Sequence, residues 1–319
     1  MPNLKPTTVD VPAQRRGDIR VGHLLREEPK GTTRVAIIGF PSDAGVARNG
    51  GRPGASLGPE QIRRHLYRLT PPGNASAQEI SRFKELLHCT VDLGDVRCSG
   101  DVAADQKVLG EVIAELLAPD SQVTPIVLGG GHETSYGHFL GYTDAEKRVR
   151  IVNLDAHADV RPLEDEQPHS GSPFRQAIEH SSGRCSGYAV AGLNPHSTAP
   201  DHTSWIRDHS GQTYFRSDVT VDLVTELYSK GPDSVLATFD LDALDQSQAP
   251  GVSAPNACGV DRRLWLAAAR AAGRSQRVRS MDVVELSPPH DRDEQTARLA
   301  ALTVWEFLAG LSERKQGAR

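Results

Sequence analysis

The chain has 319 residues, 38% of them apolar and 24% charged, with a formal net charge of −5; such a chain buries roughly three quarters of its surface on folding, and its mildly acidic balance leaves no footprint for nucleic acid or for an anionic membrane surface. No apolar run reaches the ~18 residues that suggest a membrane span, and the polar N-terminus (MPNLKPTTVDVPAQRRGD) lacks the apolar stretch of a secretion signal. The four cysteines, Cys89, Cys98, Cys185 and Cys258, form no CxxC pair, so they read as reduced, buried thiols of a cytoplasmic protein and not as a disulfide framework or zinc ribbon.

Residues 1–33 are polar, proline-containing and aperiodic, and read as an extended or partly ordered arm. Val35 to Phe40 (VAIIGF) is apolar on both faces, the pattern of a buried parallel strand. Asp43 to Gly58 holds five of the 29 glycines and reads as a loop; a helix opens at Pro59, where proline suits the first turn. A strand is predicted over 90–95 and a helix over 103–118, where Val108, Val112, Ile113, Leu116 and Leu117 recur at helical spacing. Further strands are predicted over 124–128, 149–154, 187–192, 235–239 and 279–284, and helices over 132–142, 200–209, 219–229, 261–272 and 293–311. Strands alternating with helices build βαβ units, hence an α/β fold whose parallel sheet is covered on both faces. No linker or repeat divides residues 34–319, which read as one domain.

Three segments carry chemistry, and each follows a predicted strand, where open α/β sheets hold their ligands. Gly129 to Glu133 (GGGHE) presents His132 beside three small residues. In Asp155 to Asp159 (DAHAD) the polar positions alternate, and a continuing strand would place Asp155, His157 and Asp159 on one face. Asp240 and Asp242 alternate in the same way in FDLDALD, whereas Asp245 reads as the cap of the next turn. Clustered charges at the end of a buried strand are costly without a partner, and a divalent cation removes that cost. Four carboxylates and two imidazoles, with no cysteine, suit a pair of Mn²⁺-type ions better than one zinc. Such a pair lowers the pKa of a shared water.

In order and spacing these segments resemble the ureohydrolase (arginase–agmatinase) family, whose motifs are GG(D/G)H, DAHxD and (S/F)xDxDxxD. The likeness runs from Val35 to about Leu311. It implies a three-layer αβα domain around a parallel sheet of about eight strands, homo-oligomers that are trimers or hexamers, and two Mn²⁺ held by His132, Asp155, His157, Asp159, Asp240 and Asp242. Within the family the likeness is greatest to the formimidoylglutamases, enzymes of histidine degradation. It rests on Gly131 in place of the Asp of GGDH, on Val160-Arg161 after Asp159, on SGSPFRQ (170–176), APGVSAP (249–255) and GVARNGGRPG (45–54), and on MDVVELSPPHDRDEQTARLAA (281–301). Arginases carry a His at the position of Phe174 and agmatinases one at that of Ser170; neither is present here, and His169 falls one place off.

The resemblance implies hydrolysis of an amidine C–N bond, N-formimidoyl-L-glutamate giving L-glutamate and formamide. Asp159 would relay a proton to the leaving amine, and Glu285 would face the amidine nitrogens, a planar group that donates paired hydrogen bonds to a carboxylate. A substrate with two carboxylates needs donors: Arg161 first, then Arg52 and Arg175, with Asn49, Ser170 and Ser253 adding hydrogen bonds. Arg15, Arg16, Arg314 and Lys315 read as solvated. Competing readings are another ureohydrolase that releases urea from a guanidino acid or amine, and a metal-holding relative without turnover. Arginase-fold deacetylases would show a His-His dyad, and no two histidines are adjacent here.

Overall fold

The computed structural model describes residues 2–25, 33–119 and 121–314. Part of the N-terminal arm (residues 1 and 26–32) and Lys315 lie outside the described residues. The strands, in chain order, are β1 (Leu4–Lys5), β2 (Val35–Phe40), β3 (Thr90–Val96), β4 (Thr124–Gly129), β5 (Val149–Leu154), β6 (Cys185–Leu193), β7 (Gln212–Phe215), β8 (Ser234–Asp240) and β9 (Val278–Val284). They form one nine-stranded sheet in the order β1-β3-β2-β4-β9-β8-β5-β6-β7. Every neighbouring pair is parallel except β1 with β3. The eight parallel strands match the expected sheet; the ninth is supplied by the arm, where Leu4 pairs with Val96 and Lys5 with Asp95.

The helices are α1 (Ala44–Arg48), α2 (Gly58–Leu66), α3 (Ala77–Leu87), α4 (Val102–Leu116), α5 (Thr134–Asp144), α6 (Pro173–Glu179), α7 (Pro200–Asp208), α8 (Val221–Ser229), α9 (Arg262–Arg274) and α10 (Gln295–Ser312). On one face of the sheet, α2, α3, α8, α9 and α10 bury Leu66, Phe83, Leu227, Trp265 and Phe307 against the strands. On the other, α4 to α7 bury Ile113, Phe139, Phe174 and Ile206. The result is the three-layer αβα arrangement. Strands such as β2 and β4, buried at every position, are apolar on both faces because helices cover both. Among the described residues, no helix is long and apolar enough to cross a membrane.

Several elements depart from the sequence reading. The glycine-rich stretch after β2 contains α1, a helix too short to show periodicity. Helix α3 carries a legible start signal: Ser76 Oγ accepts from Glu79 N–H at 3.3 Å while Glu79 Oε2 accepts from Ser76 N–H at 2.8 Å. β7 is a half-buried edge strand with no apolar run. The four cysteines are half-buried, not buried, and none is paired.

β4, β9, β8 and β5 are consecutive in the sheet. Their carboxyl ends therefore lie side by side, and each leads into a segment rich in Asp, His or Glu.

Candidate metal centre and substrate cavity

Alternation along a continued strand does not bring the DAHAD side chains together. β5 ends at Leu154, and the backbone turns: His157 N–H donates to Asp155 Oδ1 at 2.6 Å, and Asp159 adopts φ +47°. β8 closes in the same manner, with Asp242 N–H donating to Asp240 Oδ1 at 2.9 Å over the 3₁₀ turn Leu241–Ala243. A short Asp side chain readily binds the backbone two residues on, which favours a turn over further strand. Asp245 caps its own turn, accepting from Ser247 N–H and Oγ at 2.9 and 2.6 Å.

The turned side chains converge. His132 Nδ1 lies 3.3 Å from Asp155 Oδ2, 2.9 Å from Asp159 Oδ2 and 2.8 Å from Asp240 Oδ2. His157 Nδ1 lies 3.6 Å from Asp155 Oδ1 and 3.3 Å from Asp242 Oδ2. Two donor groups result, His132-Asp155-Asp159-Asp240 and Asp155-His157-Asp242, each with its atoms within 4.8 Å of one another and with Asp155 common to both. His132 Nδ1 and Asp242 Oδ1 are buried and make no hydrogen bond, although buried polar atoms are nearly always paired. Oxygen and imidazole donors converging in this way fit a pair of divalent cations.

Electrostatics point the same way. Burial, with Asp242 and Asp155 alongside, drives the Asp240 carboxyl well above its usual range. Burial raises Asp242 too, against the pull of His157. Asp155, although buried, is held low by His132, and Asp242 holds the His157 imidazole well above its ordinary value. Several carboxylates sharing one dry site need a positive charge at its centre.

Glu285 follows β9 at φ +69°. Its Oε1 accepts from the His132 backbone N–H at 2.6 Å, and its Oε2 accepts from Ser253 Oγ. Burial, reinforced by Glu133, pushes it up to about 8. Asp159 and Glu285, the two residues expected to act on substrate, thus both hold a backbone conformation rare for non-glycine residues. A cavity of about 210 Å³ opens between them, lined also by His157, Asp240, Asp242, Arg161, Asn49, Ser170 and Ser253. Arg161 Nη1 donates to Asn49 Oδ1 at 2.9 Å, and Asn49 Nδ2 donates to Ser170 Oγ at 3.0 Å, so one wall is a continuous polar strip.

Residues 33–310 match the sequence profile of the arginase family. The chain belongs to the arginase family. A formimidoylglutamase of Rhodococcus jostii is 38% identical over 287 residues, 85% of this chain and 84% of that protein. One of Chromobacterium violaceum is 36% identical over 293 residues, 87% of this chain and 88% of that protein. Among solved structures, a formiminoglutamase of Trypanosoma cruzi with Mn²⁺ is 29% identical, with a TM-score of 0.82 over 93% of this chain and 100% of that one.

Where this arginase-family site departs from the GGDH pattern, the packing gives the reason. A Cβ on Gly131 would stand 2.1 Å from Glu133 Oε2 and 2.4 Å from Val46 Cγ2. Glu133 is fully buried there, pushed up to about 7 by burial, and its Oε1 accepts from Gly45 N–H at 2.9 Å. Phe174 packs edge-on against the His132 ring at 5.0 Å and stacks on Tyr188 at 4.8 Å, where no proton carrier is available. His169 does not reach the cavity: its Nε2 meets Pro162 O at 3.0 Å and its Nδ1 accepts from Gly171 N–H at 3.1 Å.

Two of the expected arginines point elsewhere. Arg52 Nη2 donates to the carbonyls of Pro250 and Val252, pinning that loop. Arg175 donates to Val160 O at 3.3 Å, pairs with Glu179, and lies 4.6 Å over the Trp205 ring. The cavity instead gains Ser197, Thr198 and His202, from the turn after β6 and the start of α7. No motif flags them: they lie in a polar stretch (194–204, NPHSTAPDHTS) that has no alternating Asp/His pattern to set it apart from an ordinary turn and helix start.

Proposed function

We propose that this protein is a cytoplasmic dinuclear-manganese hydrolase that cleaves N-formimidoyl-L-glutamate to L-glutamate and formamide. The carrying observation is that two donor groups sharing Asp155 open onto the same small cavity as Arg161. The family membership and the formimidoylglutamase relatives support the substrate class. On this reading His132, Asp155, His157, Asp159, Asp240 and Asp242 hold two Mn²⁺ in a single domain spanning residues 34–319, and the chain works as a trimer or hexamer.

Bound Mn²⁺ supplies an activated water at neutral pH and charge stabilisation for the transition state. The protein's own groups do the rest. Glu285, held by His132 N–H and Ser253, orients the amidine nitrogens through paired hydrogen bonds. Arg161, braced by Asn49 and Ser170, binds a substrate carboxylate. Asp159 takes a proton from the attacking water and returns it to the glutamate nitrogen as its bond to the formimidoyl carbon breaks, and the carbon leaves as formamide. The Phe174 and Tyr188 rings close the site behind His132 against bulk water.

The test is a side-by-side assay, with Mn²⁺, of N-formimidoyl-L-glutamate, agmatine, arginine and guanidinobutyrate. Formamide from the first and no urea from the others is the expected outcome. Urea release from a guanidino compound alone overturns the substrate assignment. Asp155→Ala, which removes the shared ligand, should lose both metal and activity, measured by elemental analysis and turnover.

A further inference from the structure

One polar chain runs from the metal centre away from the cavity, into the core. His132 turns Nδ1 toward Asp159 and Asp240, and its Nε2 lies 3.0 Å from Thr238 Oγ1. Thr238 Oγ1 is 3.2 Å from Ser135 Oγ. Ser135 Oγ reaches the two carboxylate oxygens of Asp282 at 3.3 and 3.2 Å, and Asp282 Oδ2 is 2.9 Å from His138 Nδ1. None of the five side chains is more than 1% exposed. They come from the β4–α5 junction and α5, from β8 and from β9, the elements that meet beneath the site.

A buried carboxylate of this kind is weak ground for stability, because well-packed apolar groups often serve as well or better. What the chain provides is direction. A carboxylate at Asp282 only accepts, so Ser135 donates its one hydroxyl proton to it. The Ser135 oxygen then accepts from Thr238, and the Thr238 oxygen accepts from His132 Nε2–H. The imidazole proton is thereby placed on Nε2, and Nδ1 offers a lone pair to the space bounded by Asp155, Asp159 and Asp240. The opposite tautomer would put a proton where a cation belongs.

We propose that Asp282, acting through Ser135 and Thr238, is a positioning residue that sets the tautomer of His132 and so readies one of the two donor groups for its metal. This rests on the metal reading above. It selects the group built on His132 and leaves the group built on His157 unaffected.

The experiment measures Mn²⁺ binding to the metal-stripped full chain by titration calorimetry, counts bound Mn²⁺ after equilibrium dialysis, and uses electron paramagnetic resonance to tell a coupled pair from an isolated ion. Thr238→Val keeps the side-chain shape and removes the hydroxyl, Thr238→Ser keeps the hydroxyl, and Asp282→Asn removes the charge. Wild type should hold two Mn²⁺. Thr238→Val and Asp282→Asn should bind one of them about 10- to 100-fold more weakly, with the spectrum of an isolated ion at limiting Mn²⁺, and Thr238→Ser should restore the pair. A folded Thr238→Val that holds both ions as tightly as wild type overturns the inference alone. So does equal weakening of both ions together with a lowered melting temperature, which marks a structural effect. A wild-type chain that holds no Mn²⁺ overturns the metal reading and this inference with it.

Discussion

Gly131 and Glu133 are a matched pair. The carboxylate of Glu133 lies in space that any side chain at 131 would enter, and from there it holds the start of α1 through Gly45 N–H. Gly131→Ala should therefore destabilise the protein by about 1–3 kcal/mol, the usual effect of overfilling a packed interior, measured by urea unfolding at fixed Mn²⁺. A stability within a few tenths of a kcal/mol of wild type would show that Glu133 moves aside freely. Arg161 makes a different prediction. Losing one charged hydrogen bond to a substrate carboxylate is worth about 1.5–3 kcal/mol, so Arg161→Ala should raise KM roughly 10- to 100-fold while bound Mn²⁺ stays constant; an unchanged KM removes Arg161 from the substrate site. At this scale the six candidate ligands were legible because each is a polar residue at, or within a few positions of, the end of an apolar strand, where clustered charge demands a partner. Thr238, Ser135 and Asp282 were not. A single hydroxyl or carboxylate inside an apolar run looks like ordinary strand or helix interior, and only the fold shows that three such residues touch.

Elements carry the next part of the behaviour. Arg175 on α6 lies over Trp205 on α7, and Trp205 in turn stacks on His209 at 4.0 Å. This clamp sets the position of α7, whose first turn brings His202 to the cavity. Arg175→Ala should lose about 0.5–1 kcal/mol of stability, the value of an exposed cation–π contact, and leave KM for a dicarboxylate substrate near that of wild type. A rise in KM as large as that of Arg161→Ala would return Arg175 to the substrate site. Buried strands such as β2 and β4, and β5 with all but Arg150 buried, were legible to within a residue or two because their apolar runs have no other explanation. α1 and β7 were not, since both are short and rely on tertiary partners. The strand ends at 154 and 239 were legible to within a residue, but whether the polar alternation after them marks strand or turn was not, because period-two alternation and a pair of Asp-initiated turns place the same residue types at the same spacing.

For the whole molecule, metal binding and folding are linked. The donor groups draw on residues from 132 to 242, so no unfolded stretch presents them together and the ions bind the native state preferentially. Mn²⁺ at a hundredfold over its dissociation constant should stabilise the fold by about 2.7 kcal/mol per site. The metal-stripped chain should melt several degrees below the loaded one by calorimetry, and equal melting temperatures with and without Mn²⁺ would argue that the ions do not bind the native site.

The strand order has a consequence for biosynthesis. β9 is the last strand to be made, yet it stands between β4 and β8 in the middle of the sheet. A growing chain can pair β3-β2-β4 and β8-β5-β6-β7 as two separate leaves, one carrying His132 and the other Asp155, Asp159, Asp240 and Asp242. Only when β9 leaves the ribosome and slots between them do the leaves close and His132 N–H meet Glu285, 153 positions further on. Translation itself thus delays completion of the donor group built on His132 until β9 is made, whereas the group Asp155-His157-Asp242 lies wholly on the leaf that holds β5 and β8.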